Sequence, residues 1–311
     1  MKFIANYFLL WSILLIGCQE KPKLSVGKNG FIEINGTKHY YNILGTGDTL
    51  VVLHGGPGFS HKYMKPQLDA LLSSNFTLLY YDQRGSGWSE GTQDTLNLNI
   101  QTYISDLDQI RNHFELSKLN LIGHSFGGLL GMYYGTTFPD NLNSLVLIDT
   151  DAASYELRTP YQIKTINSRL TEKSNIYLDS ISESEDFKNY NVSAYDKYYK
   201  TFLTSYFANP RDTSKLKLGF DSISIKKIEA TNNHVRKTLG KYDIHDQLYR
   251  ITCPTLILHG TESVFSVEGA EAIHDILTNS ELHLFENCGH FEYIESPNKF
   301  KGLIEDFYGI N

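Results

Sequence analysis

Six predominantly apolar runs of strand length recur along the 311 residues: Leu50 to Leu53, Phe76 to Tyr81, Leu119 to Ile122, Leu145 to Ile148, Thr255 to Leu258 and Leu282 to Phe285. They do not alternate with polar residues as half-exposed strands do, so each suits a strand covered on both faces. Several of the intervening segments carry helical spacing instead, as in Ile100, Tyr103, Ile104, Leu107, Ile110 and Phe114. Strand and helix in alternation predict a mostly parallel, doubly wound α/β sheet. Ahead of it, Phe31 to Ile34 and Tyr40 to Leu44 flank Asn35-Gly36 and read as a hairpin. With hydrophobic residues at 41 %, one core of this size needs no second domain.

The rhythm stops between Asp151 and about Leu239, where no buried-strand run occurs and Tyr155, Tyr161, Tyr177, Tyr190, Tyr195, Tyr198, Tyr199 and Tyr206 sit among mixed charges. This segment is expected to be an inserted helical cap, residues 151–239, laid over the carboxyl edge of a catalytic domain made of residues 30–150 and 240–311.

The turns that follow the strands carry the chemistry. Gly123-His124-Ser125-Phe126-Gly127 sits between the run Leu119 to Ile122 and a helical run, Leu129 to Phe138. That is the G-x-S-x-G arrangement in its strand-turn-helix context, in which the glycines permit a tight turn that lifts the Ser hydroxyl clear of the sheet. The helix amino terminus favours negative charge developing there. His54-Gly55-Gly56-Pro57-Gly58 is a second bend of small residues at the same edge. Acyl transfer needs two N–H donors for an oxyanion, and Gly56 and Phe126 are the candidates. Asn287-Cys288-Gly289-His290 follows the last strand, which puts His290 at the edge that holds Ser125 and makes it the candidate general base.

Two candidates remain open for the acid that would orient His290. Glu262 lies in the loop His259-Gly260-Thr261-Glu262-Ser263, and Asp149 directly follows the run Leu145 to Ile148. Asp82-Gln83-Arg84-Gly85-Ser86-Gly87 forms a further loop, in which Asp82 and Arg84 are expected to pair and brace the loops around Ser125.

Taken together, His54 to Gly58, Asp82 to Gly87, Gly123 to Gly127 and Cys288 to His290 resemble the prolyl aminopeptidase (proline iminopeptidase) branch of the α/β-hydrolase fold family. The resemblance covers roughly residues 30 to 150 and 250 to 311. It implies a serine hydrolase working through an acyl-enzyme on a short-peptide or other small substrate, with no metal or organic cofactor. In that branch cap carboxylates hold the substrate's free amine, and the cap here offers Glu156, Glu172, Glu183, Glu185, Asp186 and Glu229. Ser263 stands where such sequences usually carry the acid, and GHSFG is equally at home in esterases. Ester or lactone hydrolysis and an inactive, lipid-anchored binding protein are therefore the alternatives.

The amino terminus suggests where such an enzyme would work. Lys2 is followed by Phe3 to Ile16, apolar except for Asn6 and Ser12, and then by Gly17-Cys18. The stretch is shorter than the ~20 apolar residues of a membrane span. It resembles a bacterial lipoprotein signal peptide over residues 1–17, with Cys18 as the lipidated residue, residues 18–29 as a tether, and an exported, membrane-anchored lipoprotein of the cell envelope as the product. Cys253 and Cys288 would lie at opposite ends of neighbouring strands, about 17 Å apart at ~3.3 Å per residue, so two free thiols are expected. A formal charge of -7 without basic runs excludes a nucleic-acid surface.

Overall fold

Eight strands form a single sheet in a computed structural model that describes residues 26–91 and 97–310. The expected signal segment, Cys18 and most of the tether lie outside the described residues. The strands are β1 (Asn29–Ile34), β2 (Thr37–Gly45), β3 (Asp48–Leu53), β4 (Phe76–Tyr81), β5 (Leu119–His124), β6 (Leu142–Ile148), β7 (Thr255–Gly260) and β8 (Ser280–Phe285). Their order across the sheet is β1-β2-β4-β3-β5-β6-β7-β8. Strands β3 to β8 pair in parallel, whereas β2 runs antiparallel to both of its neighbours, β1 and β4. Asn35 and Gly36 close the β1-β2 hairpin with φ of 49° and 67°, the two positive values that a two-residue turn matched to strand twist requires.

The unbroken apolar runs are explained by helices on both faces, except in the edge strand β8, where Phe285 alone is fully buried. Leu50, Val52, Leu78, Tyr80, Val146 and Leu256 point to the side covered by α1 (Lys65–Leu72) and by the last helix, at Pro297–Phe307. Val51, Leu53, Leu79, Leu121, Leu145 and Ile257 point to the side covered by α2 (Ile100–His113) and α3 (Phe126–Thr137). The helical spacing read in residues 100 to 114 is the buried stripe of α2.

Between β6 and β7 lie α4 (Tyr155–Arg169), α5 (Glu172–Ser182), α6 (Glu185–Lys188), α7 (Val192–Phe202), α8 (Ile228–Leu239) and α9 (His245–Leu248). Helices α10 (Val267–Ile276), α11 (Glu292–Glu295) and α12 (Pro297–Phe307) complete the chain. Among the described residues no helix is long and apolar enough to cross a membrane. The inserted helices have a small core of their own, with Phe187 stacked on Tyr195 at 4.2 Å beside Ile181, Ala194, Ile225 and Ile228. Three of their side chains attach to main-chain carbonyls of the sheet loops: Lys227 Nζ donates to Ser89 O at 2.6 Å, Thr231 Oγ1 to Gly85 O at 2.7 Å and Thr238 Oγ1 to Leu98 O at 3.0 Å.

Asp82 and Arg84 do not pair with each other, contrary to expectation. Arg84 makes a two-pronged contact with Asp106 of α2, Nε to Oδ2 at 2.9 Å and Nη2 to Oδ1 at 2.7 Å. Asp82 accepts instead from the backbone and ring of His61, at 3.0 and 2.8 Å, and from Trp88 N at 2.8 Å. Residues two apart in a loop point in different directions, so each buried charge finds its partner on another element. Cys253 and Cys288 are both free.

Candidate active site

Strand β5 runs into α3 through Ser125, whose φ of 56° and ψ of -124° hold it in the strained turn that the flanking glycines anticipate. A Cβ on Gly127 would come within 2.1 Å of Leu53 O, and one on Gly123 within 2.6 Å of Gly127 O. Only glycine fits at either place. The turn is pinned to the neighbouring strand by Ser125 N to Ile148 O at 3.0 Å and by Asp151 N to Ser125 O at 3.2 Å. Phe126 opens α3, so its N–H has no acceptor within the helix. Gly55 packs so closely that a Cβ there would lie 3.0 Å from Ser125 Cβ, which brings the His54 to Gly58 bend against the serine.

His290 follows β8 and is held from several sides. Its backbone N–H donates to Tyr206 O at 2.8 Å, and its ring lies edge-on between Tyr206 and Phe265 at 5.3 and 5.1 Å. Nδ1 meets Asp149 Oδ1 at 2.7 Å. Asp149 stands just past β6 and is wholly buried. It also accepts from Ser263 Oγ at 2.5 Å and from Gly260 N at 3.1 Å, with His259 Nδ1 3.7 Å from Oδ2. Burial alone would raise this carboxyl, but His259, His290 and the hydrogen bonds from His290 and Ser263 outweigh it and hold the group far below the usual carboxylate range.

Of the two candidate acids, the structure therefore brings Asp149, and not Glu262, to His290. Glu262 faces outward, its side chain 54 % exposed and 3.4 Å from Arg169 Nη2. Its carbonyl also accepts from Arg169 Nη1, at 2.7 Å, and its longer side chain does not make the reach that sequence spacing allowed. Ser263, at the position where an acid was expected, donates to the acid that comes from the neighbouring strand.

One hydrogen-bonded chain links the site's loops. Gly55 N donates to Tyr63 Oη at 2.7 Å, Tyr63 Oη lies 2.6 Å from His124 Nδ1, and His124 Nε2 lies 2.8 Å from His290 O. A carbonyl only accepts, so His124 carries its proton on Nε2 and Tyr63 donates to Nδ1. Burial, and then the neighbouring His290, push His124 down to about 3, which keeps this ring neutral. Its place inside the G-x-S-x-G motif was the only sequence signal for this role.

An α/β-hydrolase-fold sequence profile matches residues 48–297. The chain belongs to the alpha/beta hydrolase fold family. Among curated relatives of this α/β-hydrolase, a proline iminopeptidase of Saccharolobus solfataricus is 30 % identical over 99 % of each chain. One from Lactobacillus helveticus is 28 % identical over 89 % of this chain and 96 % of its own. Among solved structures, VinJ superposes with a TM-score of 0.72 at 21 % identity, covering 92 % of this chain and 100 % of that one. A proline iminopeptidase of Mycobacterium smegmatis gives 0.68 at 21 % identity, covering 90 % and 97 %.

The inserted helices of this hydrolase roof a cavity of about 480 Å³ whose wall includes Ser125, His290 and Gly56. Of the six cap carboxylates, Glu229 lines it. Glu156 pairs with Lys241 at 3.3 Å and Glu185 with Lys188 at 3.6 Å, away from it. Two arginines that sequence reading passed over also line the cavity. Arg158 Nε and Arg236 Nη1 both meet Asp151 Oδ2, at 2.9 and 2.6 Å.

Glu292 is a second buried carboxyl close to the site. Neither of its oxygens has a hydrogen-bond partner among the described residues. Burial first, and the charge of Asp149 next, raise it well above the ordinary 4.5.

Two predictions follow from this geometry. Asp149→Asn should slow labelling of Ser125 by a neutral fluorophosphonate roughly 10³- to 10⁴-fold, because His290 loses both its tautomer control and its counter-charge. Glu262→Gln should change it by no more than about twofold, as befits an exposed ion pair; the reverse pattern would return the acid to Glu262. For Glu292 the linkage sign is set by a folded value above the unfolded one. The stability it contributes is complete below 4.5 and lost progressively as pH rises above it. Glu292→Gln should thus gain on wild type in urea unfolding as pH rises from 4 to 8, and parallel pH profiles would show that Glu292 ionises normally.

Proposed function

We propose that this hydrolase is a serine aminopeptidase of the proline iminopeptidase kind, releasing amino-terminal residues from short peptides through an acyl-enzyme. The observation that carries the reading is Asp149 on His290 Nδ1, beside Ser125 at the same cavity wall. With Nδ1 donating to a carboxylate, Nε2 is free to take the Ser125 proton. Ser125 Oγ attacks the carbonyl, and the N–H groups of Gly56 and Phe126 stabilise the oxyanion. The C–N bond breaks as His290 returns the proton to the leaving amine, and a water activated by the same ring then hydrolyses the ester.

Glu229 is the cavity carboxylate suited to the substrate's free amine. Ser263 donates to Asp149, and this takes away the observation that favoured an inactive scaffold. The proline iminopeptidase relatives support the substrate class.

Protein lacking residues 1–18 should hydrolyse an amino-terminal prolyl or alanyl arylamide, lose that turnover in Ser125→Ala, and reject the amine-acetylated substrate. Turnover of a short-chain p-nitrophenyl ester alone would make it an esterase. On the amino-terminal side, the reading adds export and a lipid on Cys18. In a bacterial host the full chain should partition with membranes and Cys18→Ser with the soluble fraction; identical partitioning would remove the lipid anchor.

A further inference from the structure

Arg158 and Arg236 occupy the wall of the cavity beside Ser125 and share one carboxylate. Asp151 is fully buried, and its Oδ2 meets Arg158 Nε at 2.9 Å and Arg236 Nη1 at 2.6 Å. The guanidiniums are close enough to repel, each being felt by the other or by the same acid. The phenols nearest them, Tyr206 and Tyr242, are neutral, because burial raises both far above neutrality. Within this cluster two cations meet one anion, and Asp149 lies behind the His290 ring, hydrogen-bonded to its Nδ1.

The donors not used by Asp151 are few and placed. Arg236 Nη2 donates to Gly56 O at 3.0 Å, and the guanidinium carbon lies 5.4 Å from the centre of the Phe126 ring, so this arginine sits against both candidate oxyanion residues. Arg158 Nη1 donates to Thr159 Oγ1 at 3.2 Å, and its guanidinium lies 5.5 Å from the Phe265 ring, which in turn lies edge-on to His290. Among the described residues Arg158 Nε, although 2.9 Å from Asp151 Oδ2, has no hydrogen-bond partner. The pair therefore spans the space from the oxyanion loops to the His290 side, where a leaving group receives its proton.

The opposite sign lies on the same helix. Glu229 and Arg236 both line the cavity from α8 and are two turns apart, about 10.5 Å along the axis at 1.5 Å per residue, with Asn232 and Asn233 between them on the same wall. An extended dipeptide is roughly 7 Å long, and a hydrogen bond at each end gives it a span of the same order as that separation along the helix.

We propose that Arg158 and Arg236 form a carboxylate subsite for the leaving residue, so that the cavity selects dipeptides with both ends free, the amine at Glu229 and the carboxylate at the arginines. The carboxylate of a leaving amino acid lies one residue, about 3.5 Å, beyond the scissile bond, within reach of a group that adjoins the oxyanion loops. The dipeptide assignment rests on the aminopeptidase reading above, whereas the anion subsite does not.

The test has two arms. In the first, kcat/KM is compared for Pro-Ala and its carboxyl-terminal amide. Wild type should favour the free acid by roughly 10- to 100-fold, the range for a charge-assisted contact. In Arg158→Gln the ratio should fall toward one, mainly through KM on the acid, and Arg158→Lys should restore part of it. In the second, N-acetylglycine and its amide are tested for protection of wild-type Ser125 against a neutral fluorophosphonate. The acid should protect at concentrations where the amide does not. Equal protection, or a wild-type ratio near one, would overturn the subsite. Protection by the acid with neither peptide cleaved would leave the subsite standing and remove the aminopeptidase reading.

Discussion

A carboxylate with no exposure to water, Asp149, fixes the relation of the loops around the nucleophile. An isolated buried charge costs several kcal/mol, and removing its partners is correspondingly destabilising. The charge is acceptable here because donors arrive from elsewhere: His290 from the loop after β8, and Ser263 and the Gly260 N–H from the loop after β7. Three strand ends must therefore come into register to satisfy one group. The same compensation draws His290 to its place beside Ser125, so the requirement of stability and the requirement of orientation are met by one set of bonds.

A second set, built of neutral groups, ties the loop after β3 to the same assembly. The chain from Gly55 through Tyr63 and His124 to His290 O admits only one arrangement of protons, and His124 keeps its neutral form because burial makes it a poor base. Neutral hydrogen bonds suit this role, since a further charge beside His290 would disturb the base it supports. Glu295 adds a strap from the other side, accepting from Gly289 N and Ala208 N at 2.9 Å each, so the peptide before His290 is joined to the inserted helices. The roof of the cavity and the base beneath it are thus held by the same loop.

The parts legible in the sequence are those that depend on local pattern. Apolar runs marked six strands, of which the edge strand β8 is only partly buried, glycines two before and two after Ser125 marked the strained turn, and the position past the last strand marked His290 as the candidate base. What sequence spacing could not resolve are choices made by tertiary contact. Chain position put Glu262 first and Asp149 second as the acid; the outward turn of Glu262 toward Arg169 and the inward burial of Asp149 reverse that order. Asp82 and Arg84 are two residues apart, yet their partners, His61 and Asp106, lie on other elements. Arg158 and Arg236 are separated along the chain and meet only because α4 and α8 both close over Asp151.

That meeting is expensive for a folded chain. Asp151 and Arg158 are withdrawn from water, Arg236 stays 22 % exposed on the cavity wall, and Asp151 Oδ1 lacks a partner among the described residues. Apolar residues of similar volume would serve packing as well or better, since buried ion pairs seldom gain more from attraction than they lose in desolvation. A local arrangement that works against stability points to a demand other than stability. Its position gives the demand a direction: Arg236 adjoins Gly56 and Phe126, where negative charge would develop, and Arg158 lies against Phe265 on the side of His290, where a leaving residue would depart. A second guanidinium there strengthens the hold on an anionic leaving residue, while Asp151 offsets one of the two charges and keeps both guanidiniums in a fixed geometry.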